Sequence, residues 1–186
     1  ATFMDFSIPQ KGNTRFMYVL PFSETEALVE YTLFSDTPLE DNEYEHAILN
    51  YLQADLGVEQ YTVLEKEKGN IPMTCYDFEA GNSARCIHIG TAGGWAKPST
   101  GYTFKNTYKN SQKLIEFLKA GKPLHQFTTK RRHWYYDLLL LDILDRNNEL
   151  GSSIFESLFK KRNTDLILRF LDEETTVLQD LKIITG

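Results

Sequence analysis

The segment from Ile89 to Tyr102 contains the residue types best suited to holding a cofactor. Its sequence, IGTAGGWAKPSTGY, carries four glycines together with threonines, a serine and a proline. Glycine has no Cβ atom, so the backbone N–H groups stay uncovered, and a phosphate, a ribityl chain or a flat ring could approach the main chain closely. Glycine-rich turns also form simply where a chain changes direction. The residues alone leave both interpretations open.

A second candidate for chemistry is Glu30, a single acidic residue in an apolar run. In a β-strand, the alternation of side chains would place Glu30 on the same face as Leu28 and Thr32. In a dry pocket its carboxyl group would stay protonated near neutral pH, the state that a Brønsted acid needs to protonate an alkene. The alternative is an edge-strand glutamate that faces water, and side-chain alternation alone favours this alternative.

Five blocks of the sequence resemble motifs of the lycopene cyclase family. Residues 91–94 and 97–102 resemble its C-terminal flavin motif, and residues 69–73 resemble its Gly-x-x-Pro segment. Residues 15–23 and 27–32 resemble the strand pair whose second strand carries the acidic FLEET-type motif. The blocks stand in the family's order and separation. The resemblance therefore extends over roughly the first two thirds of the chain, and the remaining third matches only in helical character.

This resemblance implies that Glu30 is the catalytic acid, because it stands at the first glutamate of the FLEET-type motif. Its carboxyl group would protonate a terminal double bond of lycopene, a neighbouring double bond would attack the cation, and loss of a proton would leave a β-ionone ring. This conversion of lycopene to β-carotene is redox-neutral. The sequence departs from the plant motif at two positions, since Val29 replaces a leucine and Tyr31 replaces a second glutamate.

The same resemblance implies a reduced FAD that is used without net turnover, with NAD(P)H as its electron source. The residues that it assigns to the cofactor are Gly90, Thr91, Ala92, Gly93, Gly94, Pro98, Ser99, Thr100, Gly101 and Tyr102. Related flavoprotein hydroxylases usually have an aspartate directly after the first glycine, and a threonine at this position is typical of cyclases. Three alternatives remain: a flavin-dependent monooxygenase, an isoprenoid reductase, and a carotenoid- or lipid-binding module without catalysis.

The family members are longer than this chain of 186 residues, which also has no initiating methionine. It lacks the Gly-x-Gly-x-x-Gly turn that binds the FAD pyrophosphate in a Rossmann unit. We therefore expect this chain to be the C-terminal half of a longer enzyme, without that enzyme's N-terminal Rossmann half. Alone it would be inactive and would not retain FAD. The expected fold class is an α+β fragment of a two-domain FAD flavoprotein of the p-hydroxybenzoate-hydroxylase type. Residues 1–75 would form an antiparallel substrate-domain sheet with one helix, residues 76–120 the C-terminal part of the FAD domain, and residues 121–186 a helical tail.

Apolar periodicity and turn residues predict the individual elements. The predicted strands are residues 2–8, 15–20, 26–35, 61–65 and 85–90, the last of them buried. The predicted helices are residues 41–56, 101–120, 134–144, 154–159 and 166–170. Gly57 and Gly121 would end the first two helices, and the second would bury Tyr108, Leu114, Ile115 and Leu118.

Three further features have a structural and a functional interpretation. His88, in the predicted buried strand, is more often a packed core residue than a base. Lys97 would either balance the flavin charge or be solvated. Residues 170–175, FLDEET, resemble the acidic motif by their letters, but their polar helical setting predicts a solvated helix end.

Charge and composition limit the partners. The net charge of −6 and the pI near 5.3 argue against nucleic acid, which needs a concentrated basic surface. Cys75 and Cys86 are too few for a zinc site, so we predict no metal and a reduced, cytoplasmic setting. No apolar run reaches the roughly eighteen residues of a membrane-spanning helix. The basic cluster at residues 130–133 would lie at a solvated helix start or against anionic headgroups. For a carotenoid enzyme, the second possibility implies peripheral association with a membrane surface.

Overall fold

A computed structural model describes residues 1–130 and 132–185, which pack as two compact units. The first unit comprises Ala1–Asn70 and Arg146–Ser157, and the second comprises Ile71–Asp145 and the chain from Leu158 onward. The described residues form one three-stranded antiparallel sheet and six α-helices, which confirms the α+β class. The division into three functional regions stays a prediction.

The sheet of the first unit is a meander of three strands in the order β1-β2-β3. The strands are β1 (Thr2–Asp5), β2 (Arg15–Pro21) and β3 (Ala27–Leu33). Between β2 and β3 the N–H groups of Phe22 and Ser23 donate to the carbonyl oxygen of Glu26 at 2.8 and 3.1 Å, which closes a hairpin between the two predicted strands. In the resulting register Tyr18 lies directly opposite Glu30.

One face of this sheet packs against α1 (Asp41–Asn50). A π-helical turn, Tyr51–Asp55, directly follows α1. The core between the sheet and this helical segment contains Ile8, Met17, Tyr31 and Tyr51. Gly57 ends the helical segment with a φ of +66°, a left-handed conformation that glycine adopts without steric cost. The helix predicted over residues 41–56 is therefore confirmed.

The second unit is mainly helical. Its helices are α2 (Phe104–Lys119), α3 (Arg132–Arg146), the end of α4 (Gly151–Lys161), α5 (Thr164–Leu171) and α6 (Val177–Ile184). The side chains of Asn163 and Thr176 cap α5 and α6 by accepting backbone N–H groups, as the first turn of a helix requires. The helices predicted at residues 134–144, 154–159 and 166–170 are confirmed. Along the chain outside residues 131 and 186, no helix combines the length and the apolar composition needed to cross a membrane.

The predicted strands at residues 61–65 and 85–90 are wrong. In residues 85–90 the N–H group of Cys86 donates to Ser83 Oγ at 3.1 Å, and the N–H group of His88 donates to Asn82 Oδ1 at 2.9 Å. These local bonds occupy the groups that a neighbouring strand would otherwise bind. His88 is exposed, so its prediction as a packed core residue is also wrong.

The apolar face predicted for α2 is mostly exposed. Tyr108, Ile115 and Leu118 are exposed, and Leu114 is half-buried. The buried side of the helix carries Asn110 instead. Gly121, with a φ of +66°, ends the helix as predicted.

The basic cluster at the start of α3 is largely neutralised. The nearest acidic partner of Lys130 is Asp77 at 2.8 Å, and Arg132 Nε donates to Asp180 Oδ2 at 2.6 Å. Arg131 lies outside the described residues. His133 is 1% exposed, so neither a solvated position nor a membrane surface describes this residue.

His133 is buried without a hydrogen bond on either ring nitrogen. Its ring lies edge-on to the rings of Tyr136 and Phe170, with centroids 5.6 and 5.8 Å away. Burial lowers its pKa from the ordinary value of 6.5, although the carboxylates of Glu173 and Asp180 oppose the decrease. Burial tends to raise the pKa of Asp180, but the hydrogen bonds from Arg132 and Thr175 outweigh it, so that pKa is lowered.

The stability of the second unit should therefore fall as the pH decreases below about 6.5. The unfolded chain then binds a proton at His133 that the folded chain excludes, so the stability is fully present above that pH and is lost below it. Between pH 7.5 and 5.5, His133→Leu should reduce the pH dependence of the urea midpoint. Tryptophan fluorescence measures this unit alone, because Trp95 and Trp134 both lie in it.

His125→Leu is the matched control, since His125 is an exposed histidine of the same unit. The comparison isolates His133 because Glu173 and Asp180, whose carboxylates act on its pKa, are present in every variant. Equal pH dependence in the wild type and in His133→Leu would contradict the assignment.

Candidate active site

The glycine-rich segment folds as a short 3₁₀ turn, Gly90–Gly93, followed by Gly94 in the left-handed conformation. The N–H group of Trp95 donates to the carbonyl oxygen of Gly90 at 2.9 Å, so the turn closes on itself. A second closed loop follows, in which the N–H of Lys97 donates to Tyr102 O at 2.9 Å and the N–H of Gly101 donates to Lys97 O at 2.8 Å. The segment is thus a pair of self-bonded turns.

Three of the four glycines are required by packing within the second unit. A Cβ atom on Gly93 would lie 2.2 Å from the carbonyl oxygen of His88, and one on Gly94 would lie 2.8 Å from the ring of Phe78. A Cβ atom on Gly101 would lie 2.6 Å from the side chain of Ile71. Gly90 differs, because its Cβ atom would meet nothing within 4 Å. Open space therefore adjoins the main chain at Gly90.

Two buried polar side chains anchor the second turn to α3. Lys97 is 3% exposed, and its Nζ atom lies 2.7 and 2.8 Å from the two carboxylate oxygens of Asp137. Ser99 Oγ donates to Asp137 Oδ1 at 2.6 Å. Glu173 Oε1 lies 3.6 Å from Lys97 Nζ, with its side chain 18% exposed. A charged cluster therefore lies directly beneath the glycine-rich segment.

Burial dominates the electrostatics of this cluster. It raises the pKa of Asp137, while the charge and hydrogen bonds of Lys97 and the hydrogen bond of Ser99 oppose the increase. Two carboxylates share the ammonium group of Lys97, and the nearby charge of Glu173 adds to the increase. The cluster is thus built to neutralise a buried lysine.

A cavity of about 60 Å³ lies between the glycine-rich segment, α2 and α3. Its walls include Gly94, Lys97, Asn110 and Asp137. Cavities that enclose a cofactor usually measure about 300–1,000 Å³. This cavity is therefore too small to enclose a flavin ring.

The predicted cofactor residues differ in accessibility. Thr91, Ala92 and Tyr102 are exposed, and Gly90 is half-buried. The half-buried or buried remainder consists of Gly93, Gly94, Pro98, Ser99, Thr100 and Gly101. The surface from Gly90 to Ala92 fits a ligand that approaches the main chain from outside, whereas Ser99 already binds Asp137.

Glu30 lies on β3 in the first unit, on the face opposite to the α1 core. Its carboxylate is exposed and accepts a hydrogen bond from the hydroxyl group of Thr32, two residues along the strand. Alternation therefore placed Glu30, Leu28 and Thr32 correctly. The described residues of this unit do not enclose Glu30 in a dry pocket.

Aromatic side chains cover the sheet face that carries Glu30. Phe16 contacts Tyr18 and Phe6, with ring centroids 5.1 and 5.4 Å apart. Phe155 of α4 stacks on Phe6 at 6.0 Å and on Phe34 at 6.0 Å. Phe3 contacts Tyr18 at 5.3 Å. The acid thus borders an apolar, ring-rich surface.

Sequence analysis missed the partners of Lys97. Asp137 is an acidic residue within an apolar helical run, and this isolation is the signal that could have revealed it. Residues 170–175 contain the end of α5 at Leu171, as predicted. They are only partly solvated, because the half-buried Glu173 pairs with Lys97, whereas the exposed Glu174 lies 2.9 Å from Lys109. The prediction of a solvated Lys97 is wrong, because this side chain is buried.

The sequence profile of the lycopene cyclase protein family matches residues 1–186. The chain therefore belongs to the lycopene cyclase family. It is 34% identical to the lycopene beta-cyclase of Paracoccus sp. over 54% of this chain and 27% of that protein. It is 25% identical to the lycopene beta-cyclase of Pantoea ananas over 98% of this chain and 50% of that protein. The chain thus spans about half the length of this second relative. No solved structure matches the chain.

Removing one charge of the buried pair should destabilise the second unit. Lys97→Met leaves Asp137 and Glu173 without their cation, and we expect a loss of about 3–5 kcal/mol in the free energy of unfolding. Lys97→Met/Asp137→Leu should lose less than Lys97→Met, because only the partly exposed Glu173 then lacks its cation. Urea unfolding followed by tryptophan fluorescence measures both changes.

Lys119→Met is the control for loss of a lysine, since Lys119 pairs with Glu116 on the surface and such exposed pairs contribute little. If Lys97→Met were as mild as this control, Lys97 would not be a buried charge that depends on its partners.

The two ends of the first turn should respond differently to alanine. Gly93→Ala forces a Cβ atom against the backbone of His88, and we expect a loss of more than about 3 kcal/mol in the free energy of unfolding. Gly90→Ala meets no atoms but keeps a φ of +60°, which costs about 1–2 kcal/mol. The same fluorescence assay measures both variants. The opposite ranking would contradict the packing role of Gly93.

Proposed function

We propose that this chain forms the C-terminal part of a lycopene cyclase that converts lycopene to β-carotene in carotenoid biosynthesis, with Glu30 as the acid. The observation that carries the proposal is the position of Glu30 on an aromatic-lined sheet face within a chain that matches the lycopene cyclase family from end to end. The relatives named lycopene beta-cyclase support the β-ring product.

Glu30 supplies the proton in the proposed reaction. An apolar polyene lying on the sheet face would exclude water from its carboxyl group, and dry surroundings favour the protonated form. The O–H bond then breaks, a C–H bond forms at the terminal alkene, and the remaining carbon of that alkene becomes a tertiary cation. A neighbouring double bond closes the ring by forming a C–C bond. Loss of one proton, to the carboxylate or to water, restores the balance without any transfer of electrons.

The proposed cofactor is FAD, reduced by NAD(P)H and held in a fold of the p-hydroxybenzoate-hydroxylase type that an N-terminal Rossmann half completes. The half-buried Gly90 and the exposed Thr91 and Ala92 would contact it, because open space adjoins Gly90. Gly93, Gly94 and Gly101 would keep these turns in shape from within. When bound in reduced form, the flavin supplies negative charge that stabilises a nearby cation. The chain alone would bind FAD weakly and would be inactive.

The location that we propose is the cytoplasmic face of a membrane, where the carotenoid substrate dissolves. Exposed apolar residues on α3 support contact with lipid, among them Tyr135, Leu138, Leu139 and Ile143. They recur every three or four residues and so form one stripe along the helix. The nearby cations Lys130 and Arg132 already pair with carboxylates, so apolar contact contributes more to this attachment than charge does.

A carotenoid-binding module without catalysis is the second candidate. The ring-rich sheet face favours it, because stacked aromatic side chains offer an apolar surface whether or not a proton is transferred. The chain alone would then bind lycopene as tightly as the full-length protein does, and would leave it chemically unchanged.

Glu30→Gln distinguishes the two candidates when it is made in the full-length enzyme that we propose to contain this chain. Glutamine keeps the shape of the side chain but cannot donate the proton, so the rate of cyclisation should fall by about 10²–10⁴-fold. Carotenoid analysis of lycopene-accumulating cells measures the product, with protein abundance and flavin content checked in each variant.

Glu24→Gln, in the exposed β2–β3 hairpin, is the matched control and should keep full activity. Unchanged cyclisation by Glu30→Gln would move the acid elsewhere. If the folded, flavin-loaded wild type formed no cyclic product, the cyclase proposal itself would fail, and a flavin-dependent reductase or monooxygenase would replace it.

A further inference from the structure

The residue that faces Glu30 across the sheet is an aromatic one. Tyr18 on β2 is its direct antiparallel partner, and the Cβ atoms of such a pair lie about 4.5–5.5 Å apart on the same face. Tyr18 is half-buried, so part of its surface is accessible on the face where the carboxylate of Glu30 lies. A group that accepts the proton of Glu30 would therefore lie close to this ring.

The neighbouring cross-strand pairs do not offer the same arrangement. Phe16 faces Thr32, but Phe16 is 3% exposed and its ring is enclosed by other side chains. Leu20 faces Leu28, and both are aliphatic. Among the three positions of β3 on this face, the acid thus has the one cross-strand partner that is both aromatic and accessible.

Contacts on two sides hold the ring of Tyr18. The Phe3 ring lies 5.3 Å from it in a tilted arrangement, and the Phe16 ring lies 5.1 Å from it edge-on. Phe16 is itself fixed by Phe6 at 5.4 Å. An aromatic ring held in one orientation can present its negative face to a charge without first losing rotational freedom.

We propose that the ring of Tyr18 stabilises the carbocation that forms when Glu30 protonates the polyene. This inference rests on the proposed function. The electron-rich face of an aromatic ring attracts a cation within about 6 Å of its centroid. The new positive charge forms one carbon away from the carbon that receives the proton, and hence within reach of the cross-strand neighbour. Tyr18 would then lower the barrier to protonation and leave binding of the neutral substrate nearly unchanged.

The test replaces Tyr18 in the full-length, flavin-loaded enzyme and measures kcat and KM with lycopene. Tyr18→Phe keeps the ring and should keep nearly all of the activity. Tyr18→Leu removes the ring, so kcat should fall roughly tenfold, as expected for one cation–π contact, with KM little changed. Tyr61→Leu is the matched control, because Tyr61 is an exposed tyrosine of the first unit outside the sheet.

Fluorinated phenylalanines at position 18 keep the test valid if Tyr18→Leu fails to fold. Each added fluorine weakens the negative face of the ring and leaves its shape almost unchanged. The logarithm of kcat should decrease stepwise with fluorine number, which a purely structural role would not produce. A flat series, or a loss of activity in Tyr18→Phe equal to that in Tyr18→Leu, would overturn the role of the ring.

The Glu30 and Tyr18 variants fail in different ways. An active Glu30→Gln enzyme would overturn the proposed acid, whatever Tyr18 does. An inactive Glu30→Gln enzyme together with full activity in Tyr18→Leu would overturn only the inference about Tyr18.

Discussion

The buried ion pair between Lys97 and Asp137 is the constraint on which the second unit depends. A lysine that is 3% exposed must have its charge compensated, and Asp137 provides this through two contacts below 3 Å. Asp137 in turn fixes α3 against the loop that follows the glycine-rich turn. One helical turn earlier, α3 carries His133, which packs against Phe170 of α5. A single helix therefore links the loop, through Asp137, to the C-terminal helices, through His133 and Arg132.

The glycines of this unit serve packing before they serve any ligand. Gly93, Gly94 and Gly101 each occupy a position where a Cβ atom would come within 3 Å of a neighbouring atom. A sequence that resembles a cofactor motif can therefore owe its glycines to the fold. The two roles are compatible, because packed glycines fix the accessible surface from Gly90 to Ala92 in one conformation. A ligand that contacts those residues binds a surface that is already ordered, so binding loses little further conformational entropy.

How much could be predicted from the sequence depended on how far apart the interacting residues lie. The three strands, α1 and the tail helices follow from alternation and periodicity, which short stretches of chain contain in full. The segment at residues 85–90 has strand-like composition, but the side chains of Asn82 and Ser83 bind its N–H groups first. The isolation of Asp137 in an apolar run marks it as unusual, but no local rule pairs it with Lys97, since Asp137 follows Lys97 by 40 residues. The candidate acid was located by its motif and its face by alternation, whereas its exposure depends on what packs over the sheet.

That exposure constrains how Glu30 could act. The exposed Glu30 carboxylate is in contact with water and accepts a hydrogen bond from Thr32, so the position is tolerated without a compensating cation. The aromatic side chains beside it, including Tyr18, offer little to a carboxylate but much to a hydrocarbon and to a cation formed on it. On the proposed function, the polyene that removes water from this surface is also the base that receives the proton. Substrate binding and activation of the acid would then be one event, and a Glu30 that remains hydrated between turnovers would have no unwanted partner to protonate.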